Sequence, residues 1–203
     1  MNEPLLNEVR AGNGDVNDLT FTFADAYDIP FDGAFDVVTM ARTLQWLERS
    51  AAEVRATRAL EAGGILLVLD YNHEKIDGES EPPASMSRFY QGFLAWRASS
   101  GFDNQIADHL ADLFQDAGLH DIEAMPAHEV SQRGDADFET RAGIWADVAK
   151  ARGPRVRDGG FITEDGRQQA EDDYRQRVAT VARKQSMYLI ACKGRGPATP
   201  SHV

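Results

Sequence analysis

The spacing of apolar residues changes along this chain, and the changes mark its elements. Leu19-Thr20-Phe21-Thr22-Phe23-Ala24 alternates as a short strand does, with Asp25 and Ala26 just beyond it. Phe35 to Ala41 and Ile65 to Asp70 are near-continuous apolar runs, the texture of parallel strands covered on both faces. Between them Ser50 and Glu53 form a capping box, Ala51 and Val54 share a face, and Gly63 ends the element. Strand, helix and returning strand in this length predict a right-handed βαβ unit. Leu5 to Arg10 predicts the end of a helix, broken by Ala11-Gly12-Asn13-Gly14-Asp15.

After a polar, breaker-rich loop at 77–83, helical spacing takes over. Met86, Phe89, Tyr90, Phe93, Leu94 and Trp96 form an aromatic and apolar stripe. Asp103 is placed to cap a helix over 104–117, with Ile106, Leu110, Leu113 and Phe114 buried and Gly118 turning the chain at its end. Ile122 to Val130 predicts a strand, and Phe138, Ala142, Trp145, Ala146, Val148 and Ala149 predict a helix up to Gly153-Pro154. Thr163 caps the last long helix, where Ala170, Tyr174, Val178 and Val181 recur at spacings of four and three. Ser186 to Cys192 is a terminal strand, and the Gly- and Pro-rich tail from Gly194 frays. The whole reads as an α/β domain.

Composition narrows the partners. The 203 residues suffice for one domain with an added helical layer, and 42% hydrophobic content supplies its core. A formal charge of -12 argues against general affinity for nucleic acid or an anionic membrane surface. No run approaches the roughly 20 apolar residues of a membrane span. Met1-Asn2-Glu3-Pro4 does not read as a signal peptide, so the expected compartment is the cytoplasm. Cys192 is the only cysteine, which excludes an intrachain disulfide and suits a buried structural thiol. The histidines lack the spacing of a zinc motif, and no metal is expected.

Three patterns stand in order: Phe23-Ala24-Asp25-Ala26-Tyr27-Asp28-Ile29-Pro30-Phe31; Phe35-Asp36-Val37-Val38 running on to Leu44-Gln45-Trp46-Leu47; and Leu60-Glu61-Ala62-Gly63-Gly64-Ile65-Leu66-Leu67-Val68. Together they resemble the class I S-adenosylmethionine-dependent methyltransferases of the type 11-like kind, and Phe114-Gln115-Asp116-Ala117-Gly118-Leu119 fits a late segment of the same family. The resemblance covers about residues 5–130 and the final strand. It implies one Rossmann-like domain over 1–194, helical elaborations at about 83–101 and 137–184, and a flexible tail at 195–203.

The family sheet has seven strands ordered 3-2-1-4-5-7-6, the last antiparallel. Neither the glycine-rich loop after its first strand nor the acid ending its second has a match here, because no apolar strand precedes Gly12-Asn13-Gly14. The expectation is an incomplete, N-terminally truncated fold without strands 1 and 2. Strand 3 then pairs with strand 4 directly, or an edge is left for a partner chain to cover.

The resemblance also implies a site. S-adenosylmethionine is the cofactor, with Asp25 at the adenine amino group and Ala26 beside it. Met40 and Ala41 line the methionine part, and Leu44 and Trp46 form an apolar wall. Gln45 stands where relatives often carry histidine. Asp70, Tyr71 and Asn72 face the acceptor, and His73 is a general-base candidate because its ordinary pKa is near neutrality. Phe89, Trp96 and Trp145 close over an apolar or aromatic acceptor. The implied function is methyl transfer to a small molecule in a complete parent, impaired in this chain, which binds the donor poorly or not at all. The alternative is a non-catalytic partner or regulatory protein on a degenerate scaffold.

Overall fold

The structure, a computed structural model, describes residues 3–13, 16, 18–48, 56–75, 77–78 and 81–198. In chain order it contains α1 (Glu3–Gly12), β1 (Phe35–Ala41), a 3-10 turn (Leu44–Trp46), β2 (Leu60–Tyr71), β3 (Asp77–Gly78), α2 (Ala84–Ser99) and α3 (Ile106–Asp116). There follow β4 (His120–Pro126), β5 (Glu129–Gln132), α4 (Phe138–Ala142), α5 (Ile144–Ala151), α6 (Gly153–Asp158), α7 (Glu164–Thr180), β6 (Lys184–Met187) and β7 (Leu189–Arg195).

The main sheet is ordered β1-β2-β7-β4. β1 and β2 are parallel, while β7 is antiparallel to both β2 and β4. Three strands therefore run one way and the last runs against them, as the Rossmann-like expectation requires. The order reproduces the 4-5-7-6 half of the seven-stranded sheet.

Several expectations are corrected. Residues 19–24 form no strand, and Phe23 is 40% exposed. A strand needs partners for its backbone N–H and C=O groups, and residues 19–24 do not pair with the outer edge of β1. That edge stays open among the described residues, with Val37 53% exposed. The Ser50–Glu53 capping box, with Ala51 and Val54, lies outside the described residues, and helical backbone is seen only at 56–58. Gly63 does not end that helix. It sits inside β2 at φ 75°, where the pairing register slips between Phe35 and Val37. Its N–H donates to Pro197 O (3.0 Å) and Gly196 N–H to Gly64 O (2.8 Å), so 194–197 is tied down rather than frayed.

The strands expected over 122–130 and 186–192 each split in two, and their far halves, β5 and β6, build a second antiparallel sheet with β3. Pro126 has no N–H with which to extend the ladder. At the same corner Ala127 N–H donates to Leu189 O (3.0 Å), and Leu189 N–H to His128 Nδ1 (3.2 Å). Both strands thus bend together.

Two apolar clusters result. On one face of the main sheet Leu66, Val68 and Cys192 meet Ile106, Leu110 and Phe114 of α3. Gly194 allows this approach: a Cβ there would lie 2.7 Å from the Phe114 ring. Gly118, at φ 79°, turns the chain after α3 as expected. Asp103 is not the cap of α3, which starts from Gln105; its carboxylate instead accepts Gln105 N–H (2.8 Å) and contacts His109 Nδ1 (2.6 Å).

The second cluster joins α2 to α4–α7 through Met86, Phe89, Phe93, Trp145, Ala170 and Tyr174. The helix expected from Phe138 up to Gly153-Pro154 breaks at Gly143 into α4 and α5. Thr163 Oγ1 accepts Gly166 N–H (3.1 Å) and caps α7 as expected. Val181 is 59% exposed rather than buried, because α7 has ended at Thr180.

Candidate functional site

The site grows from the ends of β1 and β2. Arg42 leaves β1 in the left-handed region at φ 55°, with its N–H on Leu69 O (2.7 Å), and turns the chain into the 3-10 turn. Asp70, fully buried at the end of β2, pins that turn: Oδ2 accepts Gln45 N–H (3.1 Å) and Oδ1 accepts Tyr71 N–H (2.9 Å). Burial pushes the Asp70 carboxyl up to about 6, against the opposing pull of these backbone donors and of Arg97.

Gln45 Nε2 donates to Arg42 O (3.2 Å), which turns its Oε1 toward His73 Nε2 at 2.6 Å. Nε2 of His73 therefore carries the ring proton and Nδ1 keeps a lone pair. Burial, and then the nearby Arg97 cation, hold the His73 pKa well below its usual value, so the ring is neutral at pH 7. Tyr90 Oη donates to His73 O (2.7 Å) and stands 3.5 Å from Nδ1.

Arg97 ties these parts together. Its Nε donates to Asn104 Oδ1 (2.8 Å) and its Nη2 to Gln45 O (2.8 Å), while the buried Nη1 has no hydrogen-bond partner among the described residues. Burial pushes its pKa down to about 10. The guanidinium lies 4.8 Å from the Trp46 ring centroid, and that of Arg152 lies 4.5 Å from it.

Beside His73 a cavity of about 360 Å³ opens between α2, α5, α7 and β6, walled by His73, Met86, Tyr90, Leu94, Trp145 and Tyr174. With its amide turned to suit both neighbours, Gln185 accepts from Trp145 Nε1 (3.0 Å) and donates to Ala142 O (2.9 Å), fixing the indole at the wall.

The sequence-derived candidates divide. His73 and Trp145 meet at the cavity. Asp70 and Asn72 are buried in the network below it, with Asn72 Nδ2 donating to Asp108 Oδ2 (2.8 Å). Tyr71 is half-buried, with Arg42 5.2 Å from its ring centroid. Phe89 is fully buried in the helical cluster, and Trp96 packs on Phe93 and Phe102, each at 6.0 Å.

On the donor side, Asp25 is exposed and its Oδ1 accepts Tyr27 N–H (2.9 Å). Tyr27 Oη accepts Glu48 N–H (2.8 Å), which ties the Asp25–Asp28 turn to the segment that follows the 3-10 turn. Ala26 and Met40 are half-buried and Ala41 is exposed. Leu44 is buried in the α3 cluster, and Trp46 has its ring against Arg97 and Arg152, so their apolar surfaces face protein.

Gln45 as partner of His73, Tyr90 as its anchor, Gln185 and Arg97 were not read as functional from the sequence. Arg97 left a signal: it continues Met86, Phe89 and Phe93 at helical spacing, so a cation occupies a core position of α2.

Residues 1–68 match the family described as the methyltransferase domain. No curated protein matches the sequence. Among solved structures the chain is similar to the YcgJ protein of Bacillus subtilis (TM-score 0.52, 15% identity, 94% of this chain and 76% of that one). It is also similar to phosphoethanolamine N-methyltransferase 2 of Haemonchus contortus, solved with phosphomonomethylethanolamine and S-adenosylhomocysteine (TM-score 0.51, 14% identity, 93% of this chain). The match spans 40% of the Haemonchus enzyme's length. The family match covers the first 68 of the 203 residues, and the likeness to these solved structures is one of fold.

Proposed function

We propose that the chain serves S-adenosylmethionine-dependent methyl transfer to a small molecule held in the cavity beside His73. The observation that carries this reading is the neutral His73 ring at the cavity wall, its Nε2 proton committed to Gln45 and its Nδ1 lone pair left to meet an acceptor. Asp25 and Ala26, tied through Tyr27 to the segment after the 3-10 turn, and Met40 and Ala41 at the end of β1 suit a donor lying across the exits of the strands. The donor, when bound, supplies a methyl group already activated on sulfonium. The protein's work is then to align the acceptor, exclude water and remove a proton.

Trp145, Tyr90 and Met86 exclude water and hold the acceptor. His73 Nδ1 accepts a hydrogen bond from the nucleophilic N–H or O–H. A weakly basic imidazole suffices, because that proton becomes far more acidic once the atom gains a methyl group. Asp70 acts through the Gln45 backbone and Arg97 through the Gln45 carbonyl, so both position the turn that orients His73.

Leu44 and Trp46 face protein, and no glycine-rich loop accompanies Asp25 in this sequence. We therefore expect the donor to be held weakly by these residues alone. The test is calorimetry with S-adenosylhomocysteine on this chain and on a version carrying any residues encoded in frame upstream of Met1. Weak binding that falls further with Asp25→Asn is expected; no binding to either version overturns the reading.

The open edge of β1, with Phe35 and Val37 exposed, favours one second reading: a non-catalytic subunit whose sheet is completed by a partner chain. It predicts a stable complex in size-exclusion light scattering. A well-folded monomer with donor binding counts against it.

A further inference from the structure

Resting on the reading of this cavity as the acceptor site, the charge around it narrows the ligand. The inner wall is apolar and aromatic, made by Met86, Leu94, Trp145 and Tyr174, whereas Arg177 and Lys184 also line the cavity. Tyr174 holds the Arg177 guanidinium 5.8 Å from its ring centroid. Lys184, exposed at the start of β6, makes no ion pair with a described residue, and Arg183 precedes it. Among the described residues of the lining the one carboxylate, Glu74, is engaged by Gln105 Nε2. In a chain of formal charge -12, two cations converge on this one apolar cavity, an arrangement that favours an anionic group there. At about 360 Å³ the cavity lies toward the small end of ligand pockets, which span roughly 300–1,000 Å³.

We propose that the cavity takes a compact molecule with an apolar, ring-sized body and one anionic group. The body lies against Trp145 and Tyr174, the anion at Arg177 and Lys184, and the methyl-accepting atom at His73. A carboxylate and a phosphate monoester share the required chemistry.

The experiment titrates the chain, without donor, with four probes of one skeleton: 3-phenylpropanoate, 3-phenylpropyl phosphate, 3-phenylpropanamide and 3-phenylpropylamine. Trp145 fluorescence reports binding, with Trp145→Phe as the control for signal from Trp46 and Trp96. At least one anion is expected to bind about tenfold or more tightly than the amide, and the preferred anion tells carboxylate from phosphate. Lys184→Gln should remove most of that preference and leave the amide's affinity unchanged, which shows that the variant is folded; Lys184→Arg should keep it. An amide as tight as both anions, an amine tighter than either, or no binding by any probe overturns the proposal. Because no donor is present, an anion preference without S-adenosylhomocysteine binding would leave the ligand class standing and remove only methyl transfer. Donor binding without the preference would do the reverse.

Discussion

The two apolar clusters of this protein are made of different material. Between the main sheet and α3, Leu66, Val68, Ile106, Leu110 and Leu113 pack with a single aromatic, Phe114. Under α2 and α4–α7 the packing is aromatic, with Phe89, Phe93, Phe138, Trp145 and Tyr174, and a cavity remains. The buried Gln45, Asp70, His73 and Arg97 lie where the two clusters meet. Aliphatic side chains interdigitate without directional demands, so the first cluster fixes the strand ends in space. Planar rings and polar groups have fixed partners, so the second keeps a shaped space beside His73.

The largest effect should come from the first cluster and stay there. Leu110→Ala, at a fully buried position of α3, is expected to cost about 2–5 kcal/mol of stability by urea unfolding. Affinity of the cavity for an aromatic anion, measured where the variant is folded, should not change. A matching loss of affinity would show that the two clusters are one mechanical unit.

A second test uses the groups at the border. In the folded state Asp70 titrates near 6 instead of 3.8, so the native chain binds this proton more tightly than the unfolded one. Its contribution therefore favours folding at low pH and is lost as pH rises from about 4 to about 6, a swing of about 3 kcal/mol. His73, held neutral with a lowered pKa, acts in the opposite sense: its contribution is present above about 6.5 and lost on acidification. The two offset each other in the native chain. Asp70→Asn should leave only the histidine, and urea midpoints between pH 4.5 and 7.5 should show steeper acid destabilisation than wild type. Parallel profiles would mean that Asp70 does not titrate there.

The same contrast decides what the sequence could reveal. The period of Ile106, Leu110, Leu113 and Phe114 and the runs of β1 and β2 follow from solvent exclusion alone, so these strands and the α3 face were legible, while the strand order came from the family resemblance. The second sheet was not, because two apolar stretches continue across the bend at Pro126 and Tyr188 and only tertiary pairing divides them. His73 was legible as a titratable residue after a strand. Its partner Gln45 and the cavity's Arg177 and Lys184 were not, since polar residues on a helix or strand read as solvated unless the third dimension brings them together.

Arg97→Met isolates the electrostatic link between the clusters. Removing the cation takes away the lesser of the two influences on His73, burial being the greater, so the ring's pKa should rise part of the way toward 6.5 in an NMR titration. Gln45 O and Asn104 Oδ1 would lose their donors, at a cost of about 1–3 kcal/mol. An unmoved His73 titration would assign the shift to burial alone.

Tyr90→Phe should have the smallest effect and the sharpest meaning. The phenol has two acceptors within reach, His73 O at 2.7 Å and Nδ1 at 3.5 Å, and one hydrogen to give. If the carbonyl receives it, as the distances favour, losing the hydroxyl costs about 1 kcal/mol of stability and leaves the ring's titration alone. If Nδ1 receives it, the bond stabilises the neutral ring, and its removal must raise the histidine pKa. The first outcome keeps Nδ1 open to a ligand from the aromatic side. The second makes Tyr90 a competitor that an acceptor has to displace, and the cavity would then be closed at the atom on which methyl transfer depends.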